Sequence, residues 1–138
     1  MSDFSEQQKL LKIQKGIRQV EDDLVKWIQD ALDNKQSYGD LEESQFRNLV
    51  RISDTTDSAE VIKNFLRYQV GRDKKWGKGK GSLAEKIVED IDTNIKKTAE
   101  DIAKSCQADY KPIWLELIRR YLGYGARYLK FLRDGNKN

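Results

Sequence analysis

The 138-residue chain has no histidine and only one cysteine, one proline and one methionine. Without histidine, neither Ser-His-Asp nor Cys-His catalysis nor a histidine-ligated zinc site can be built from it. The lone Cys106 excludes an internal disulfide and a thiolate metal cluster, and it fits a reducing, cytoplasmic setting. No apolar run of about 18 residues occurs, which argues against a membrane-spanning helix. The opening MSDFSEQQKLLK lacks the apolar stretch of a secretory signal. With Pro112 as the only proline and no Ser/Pro-rich linker, the expected organisation is a single domain over residues 1–138.

What the chain does have is charge, unevenly placed. The net charge is only +3. Residues 67–81, however, hold six basic side chains against one acid, and residues 110–138 hold seven against two. Two basic blocks on a mildly acidic background point to an anionic partner more strongly than the total does.

Apolar spacing is helical throughout. Leu10, Ile13, Ile17, Val20, Leu24, Trp27 and Ala31 alternate by three and four, one stripe on a helix from a Ser5–Gln8 cap to about Asn34. That stripe is expected to pack on the protein's own helices, with an intermolecular seam as the alternative. A second helix opens at Asp40–Glu43, carries Phe46, Leu49 and Val50, and is broken by SDTTD (53–57). A third opens at Asp57–Glu60, with Gly71 as its C′ residue. SLAE (82–85) reads as a capping box opening a long helix through Ile87, Ile91, Ile95, Ile102 and Cys106. Asp109 or Tyr110, then Pro112, open a fifth, which carries Ile113, Trp114, Leu117, Ile118, Tyr121, Leu122, Tyr128, Leu129 and Leu132. No period-2 segment with hairpin glycines is present. The expected fold is all-α, a compact bundle of about five helices.

The stretch GRDKKWGKGKG (71–81) is not a nucleotide loop. It lacks the G-x-x-x-x-G-K-[ST] spacing, the hydroxyl residue and the preceding strand. It reads as a flexible basic connection, with Arg72, Lys74, Lys75, Lys78 and Lys80 available to phosphates, and Trp76 either stacking on a base or folded back on the bundle. In RRYLGYGARYLKFLR (119–133), basic residues interleave with Tyr121, Tyr124 and Tyr128, a pattern suited to single-stranded nucleic acid. The competing reading makes Tyr121 and Tyr128 core, with the arginines as its rim. Gly123 and Gly125 cost this helix about 1 kcal/mol each, and close approach by a helix or a ligand would offset that. The acidic clusters EDD (21–23) and EDID (89–92) read as solvated surface, because adjacent positions on a helix do not share a face. Cys106, on an apolar stripe, reads as a small buried hydrophobe.

Two strings carry a family likeness. ESQFRNLV (43–50) precedes FLRYQVGRD (65–73), and an aromatic-rich helix closes the chain. This order resembles the small all-helical subunit of Csm-type (type III-A) CRISPR effector complexes, which pairs a Ser-Gln-aliphatic-Arg helix start with a Tyr-x-x-Gly-Arg element. The matching positions are Ser44, Gln45, Phe46 and Arg47, then Tyr68, Gly71 and Arg72, then the tail around Tyr121–Phe131. Glu42 and Glu43 stand where the family often has small hydroxyl residues, and the Gly/Lys stretch 77–81 is a local elaboration. The resemblance implies a non-catalytic, cytoplasmic subunit without a cofactor. Several copies would line a ribonucleoprotein filament, touch the guide–target RNA backbone, and contact other subunits or one another. On this expectation the RNA-binding residues are Arg47, Arg51, Arg67, Arg72, Lys74, Lys75, Lys78, Lys80, Arg119, Arg120 and Arg127; Arg47 and Arg72 rest on family position and chemistry, the others on charge. The alternative is a helical protein-binding adaptor with no nucleic-acid contact.

Overall fold

A computed structural model describes residues 2–135, and all regular structure among them is helical. The segments are α1 (Ser2–Gln19), α2 (Glu21–Asp33), a 3₁₀ turn (Lys35–Ser37), α3 (Glu43–Thr55), α4 (Ala59–Arg72), α5 (Leu83–Asp90), α6 (Lys96–Cys106) and α7 (Tyr110–Lys130). A π turn at Ile91–Ile95 joins α5 and α6 into one rod, and a second at Phe131–Gly135 prolongs α7. The result is six helices where the sequence pattern suggests about five.

The additional break falls at Val20, which leaves the helical region (φ −107°, ψ 4°). Its cause is the acidic run on the C-terminal side. Glu21, Asp22 and Asp23 fill the first turn of α2, where the positive end of the helix dipole favours acids. The EDD cluster is thus a helix start, which a continuous apolar stripe conceals. Of the stripe, Ile17, Leu24 and Ala31 are buried and Ile13, Val20 and Trp27 half-buried, whereas Leu10 is exposed. At other boundaries the caps slide by one to three residues. α1 already runs through Ser5. Glu42 caps α3, its backbone N–H donating to Gln45 Oε1 at 2.9 Å. Ser58 caps α4, which continues through Gly71 to Arg72. The SLAE cap holds as expected, with Glu85 N–H donating to Ser82 Oγ at 3.2 Å, and Asp109 caps α7.

Helices α2, α3 and α6 all pack on α7. The buried side of α7 includes Ile113, Leu117, Ile118, Tyr121, Leu122 and Leu129. Gly125 marks a tight crossing: a Cβ there would lie 2.7 Å from both Ile28 Cγ1 of α2 and Phe46 Cζ of α3. Trp76, only 2% exposed, stacks on Phe46 with ring centroids 5.5 Å apart. The basic connection is therefore pinned at its middle, and Trp76 is folded back on the bundle. Gly39 N–H donates to Lys75 O at 3.0 Å and Ala84 N–H to Trp76 O at 3.2 Å. Gly77 sits at φ +86°, and a side chain there would collide with the Ser37 carbonyl oxygen.

The core also holds a carboxylate. Asp90 is buried, unlike its exposed neighbours Glu89 and Asp92, so the EDID stretch is only partly solvated surface. Tyr121 O–H donates to Asp90 Oδ2 at 2.6 Å, and Lys86 Nζ lies 3.3 Å from Oδ1. Trp114 Nε1–H donates to Ile91 O at 2.8 Å, within the π turn. Burial outweighs the Tyr121 hydrogen bond and Lys86, and raises the Asp90 pKa above the ordinary carboxylate value. The folded state therefore holds the Asp90 proton to higher pH than the unfolded chain. Its contribution to stability is complete below the unfolded value, about 3.9, and is lost as pH rises through the folded one. Asp90→Asn keeps an oxygen for Tyr121 and removes the titration. Urea denaturation from about pH 4 upward should show wild-type stability falling relative to Asp90→Asn as pH rises.

Candidate nucleic-acid interface

Helices α3 and α7 run antiparallel. At one end Lys130 Nζ lies 3.6 Å from Glu43 Oε1. At the other, Arg119 reaches the carbonyls that end α3. Between them lies a groove of about 300 Å³ whose floor includes Gly123 and Ala126 and whose walls carry Arg47, Arg51 and Arg127, with Asp54 among the lining residues. All three arginines are exposed. Arg47 pairs with Glu43 one turn back, a contact worth only a few tenths of a kcal/mol at such exposure. Arg51 Nη1–H donates to Asn48 Oδ1 at 2.7 Å. Arg127 has no partner among the described residues. Arg47 and Arg51 are one turn apart on α3, about 5–6 Å between Cβ atoms, close to the step between successive phosphates of a nucleic-acid strand.

The loop lysines form a second basic surface. Lys74, Lys78 and Lys80 line a depression of about 330 Å³ with Tyr38, Gly39 and Ser82. Lys75 is half-buried beside it. Arg72 is exposed at the end of α4; the short turn from α3 to α4 returns it to the end of the bundle where α3 begins. The two surfaces are bonded together. Arg133 donates to Leu41 O (2.9 Å) and Gly39 O (3.1 Å) and lies over the Tyr38 ring, while Gly39 N–H takes up Lys75 O. One turn before Arg133, Lys130 reaches Glu43 and hence Arg47. Arg67 is exposed on α4 and lines neither depression.

Arg119 and Arg120, candidates on charge alone, are engaged inside the fold. Arg119 donates to Ser53 O and Thr56 O, each at 2.8 Å, and lies 3.5 Å from Asp57 Oδ1. It satisfies carbonyls that the end of α3 leaves without helical partners. Arg120 donates to Glu116 Oε2 (2.8 Å) and Glu21 Oε1 (2.7 Å), and the Glu116 hydrogen bond chiefly raises its pKa. The tyrosines are held in the same way. Tyr121 is buried on Asp90, Tyr124 O–H donates to Glu21 Oε2 at 2.9 Å, and Tyr128 O–H donates to Asp33. The Asp33 hydrogen bond pushes the Tyr128 pKa up to about 12, so its hydroxyl stays a donor. The expectation that Tyr121 is core is met; Tyr128 is half-buried and tied to α2. Cys106, half-buried, lines a groove between α1 and α6.

Ala126 is a groove residue that charge and motif reasoning did not single out; Gly123 stood out only for its cost to the helix, and Lys130 and Arg133 only as part of the basic 119–133 stretch. What links them is the spacing 119, 123, 126, 130 and 133 along one side of α7, which acquires meaning once α3 is known to be the neighbour. Among the described residues no group of three or more cysteine, aspartate or glutamate side chains is placed to hold a metal ion, and no helix is long and apolar enough to cross a membrane. Comparison with family models, curated proteins and solved structures finds no match.

Arg119→Ala should destabilise the fold by about 1–3 kcal/mol, through two lost charge-assisted hydrogen bonds to carbonyls at the end of α3. Equilibrium unfolding would register this, whereas Arg127→Ala, removing an unpartnered surface charge, should shift stability by less than about 0.5 kcal/mol.

Proposed function

We propose that this protein is a non-catalytic RNA-binding subunit of the Csm-type (type III-A) CRISPR class, holding RNA by its backbone in the α3–α7 groove and along the adjoining lysine loop. The observation that carries the reading is the convergence of Arg47, Arg51 and Arg127, from helices far apart in the chain, over a floor of small residues. The family resemblance supplies the class, and its Arg47 stands in this groove. Guanidinium groups suit phosphate because they present paired donors in one plane. Tyr121, Tyr124 and Tyr128 of α7 give their hydroxyls to carboxylates, and Trp76 is buried, so charge rather than base stacking would supply most of the affinity. Contacts of this kind fix position and carry little sequence information. The groove arginines, Arg72, Lys74, Lys78 and Lys80 make up the proposed contact set, while Arg119 and Arg120 serve the fold.

Filter binding of single-stranded RNA across a salt series tests this. Affinity should fall with log[salt] by about 0.7 per phosphate neutralised, and Arg47→Ala, Arg51→Ala and Arg127→Ala together should flatten the slope by about 2. Absence of RNA binding by both the isolated protein and its assembled complex would remove the proposal.

The exposed Phe4, Leu10 and Leu11 on the N-terminal half of α1 favour a second reading, the protein-binding adaptor. Leu10→Lys with Leu11→Lys distinguishes the two. If RNA binding is the function, filter binding stays near wild type; if α1 is an assembly seam, light scattering should show association with a second copy or with other subunits weakened by the same substitutions.

A further inference from the structure

Gly123 and Gly125 lie two residues apart on α7, and the fold accounts for only one of them. At Gly125 a Cβ would press on Ile28 and Phe46, so α2 and α3 can approach only because it is absent. At Gly123 an added Cβ would meet nothing within 4 Å. Its backbone is ordinary helix, and the glycines with positive φ are Gly77, Gly79 and Gly81 in the basic loop. Alanine would therefore fit at 123 without strain and would strengthen the helix. No neighbour in this chain offsets the helix-weakening effect of the glycine. What Gly123 does face is the groove lined by Arg47, Arg51 and Arg127.

We propose that Gly123 is a positioning residue for the bound strand: its missing side chain lets a phosphodiester backbone lie directly against α7. The inference rests on the reading of the groove as the RNA site and assigns the depth at which the strand is held. With the floor open, a phosphate descends between arginines on opposite walls, Arg51 from α3 and Arg127 from α7, and both guanidinium groups reach its oxygens. A methyl group at 123 lifts the strand by roughly a carbon radius. Guanidinium–phosphate hydrogen bonds weaken steeply once stretched or tilted. Coulomb attraction at the mouth of the groove is also weaker, because water screens it more. Ala126 bounds the same floor, so the opening is local to one turn of α7.

The expected signature is opposite movement of stability and affinity, which a merely structural residue would not show. Gly123→Ala should raise the melting temperature by a few degrees. It should weaken single-stranded RNA binding about tenfold, comparable to losing one charge-assisted hydrogen bond, and flatten the salt slope by about 0.7. Gly123→Leu, checked for helical content by circular dichroism, should weaken binding further. Wild-type protein that binds RNA while Gly123→Ala and Gly123→Leu bind equally well overturns this inference and leaves the groove reading standing. Wild-type protein and its assembled complex that bind no RNA overturn both.

Discussion

Phe46 lies against the main chain of α7 at Gly125, and much of the architecture hangs on that contact. The missing side chain brings α2 and α3 onto α7 together, with Ile28 on one side and Phe46 on the other. Phe46 then offers its ring to Trp76, which belongs to the connection between α4 and α5. A crossing of three helices thus also anchors a glycine-rich loop that has little local reason to adopt one conformation. Gly77 lets that loop close on the 3₁₀ turn, and Ser82 starts α5 at its end. Enlarging residue 125 would force α2 and α3 apart and loosen the platform under Trp76, since close-packed interiors relax only in part.

Around this crossing, polar cross-links fix where α7 stands. Asp90, Glu21 and Asp33 each accept from a tyrosine of α7, and Arg119 and Arg133 donate to carbonyls of α3 and of the segment ahead of it. These contacts divide the basic residues into two groups. A guanidinium bonded to helix-end carbonyls or a carboxylate of another element, as Arg119 and Arg120 are, becomes part of the fold. One held over open groove, as Arg127 is, stays available. The division depends on which element lies opposite each residue, and it leaves the exposed arginines of α3 and α7, bonded at most within their own helix, on the two walls of a single channel.

Much of the helical content is legible in the chain because helix periodicity and capping chemistry are local. The Ser82–Glu85 cap and the start of α7 at Asp109 are where the pattern places them. The break at Val20 is not legible as such: the apolar stripe continues across it, and only Glu21, Asp22 and Asp23 mark a new helix start. Asp90 escapes the pattern for a related reason. Neighbouring acids on a helix do point to different faces, but which face is covered depends on Tyr121 arriving from α7, 31 residues further along the chain. In the candidate interface, Arg47, Arg51 and Arg127 are visible as charges, Arg119 and Arg120 look no different, and Gly123 is visible only as a weak point in a helix.

By itself, the sequence determined the all-helical class, the positions of several caps, the lack of histidine-based chemistry and the two basic blocks, because each depends on composition or on residues within one turn of one another. Only the tertiary structure decided which basic residues stay exposed and which are bonded across the fold, that Trp76 faces inward, and that one of two near-adjacent glycines has a packing partner and the other has none. Those outcomes are set by contacts between helices dozens of residues apart, where the identity of a side chain says what it can bond to and only the packing says what is there.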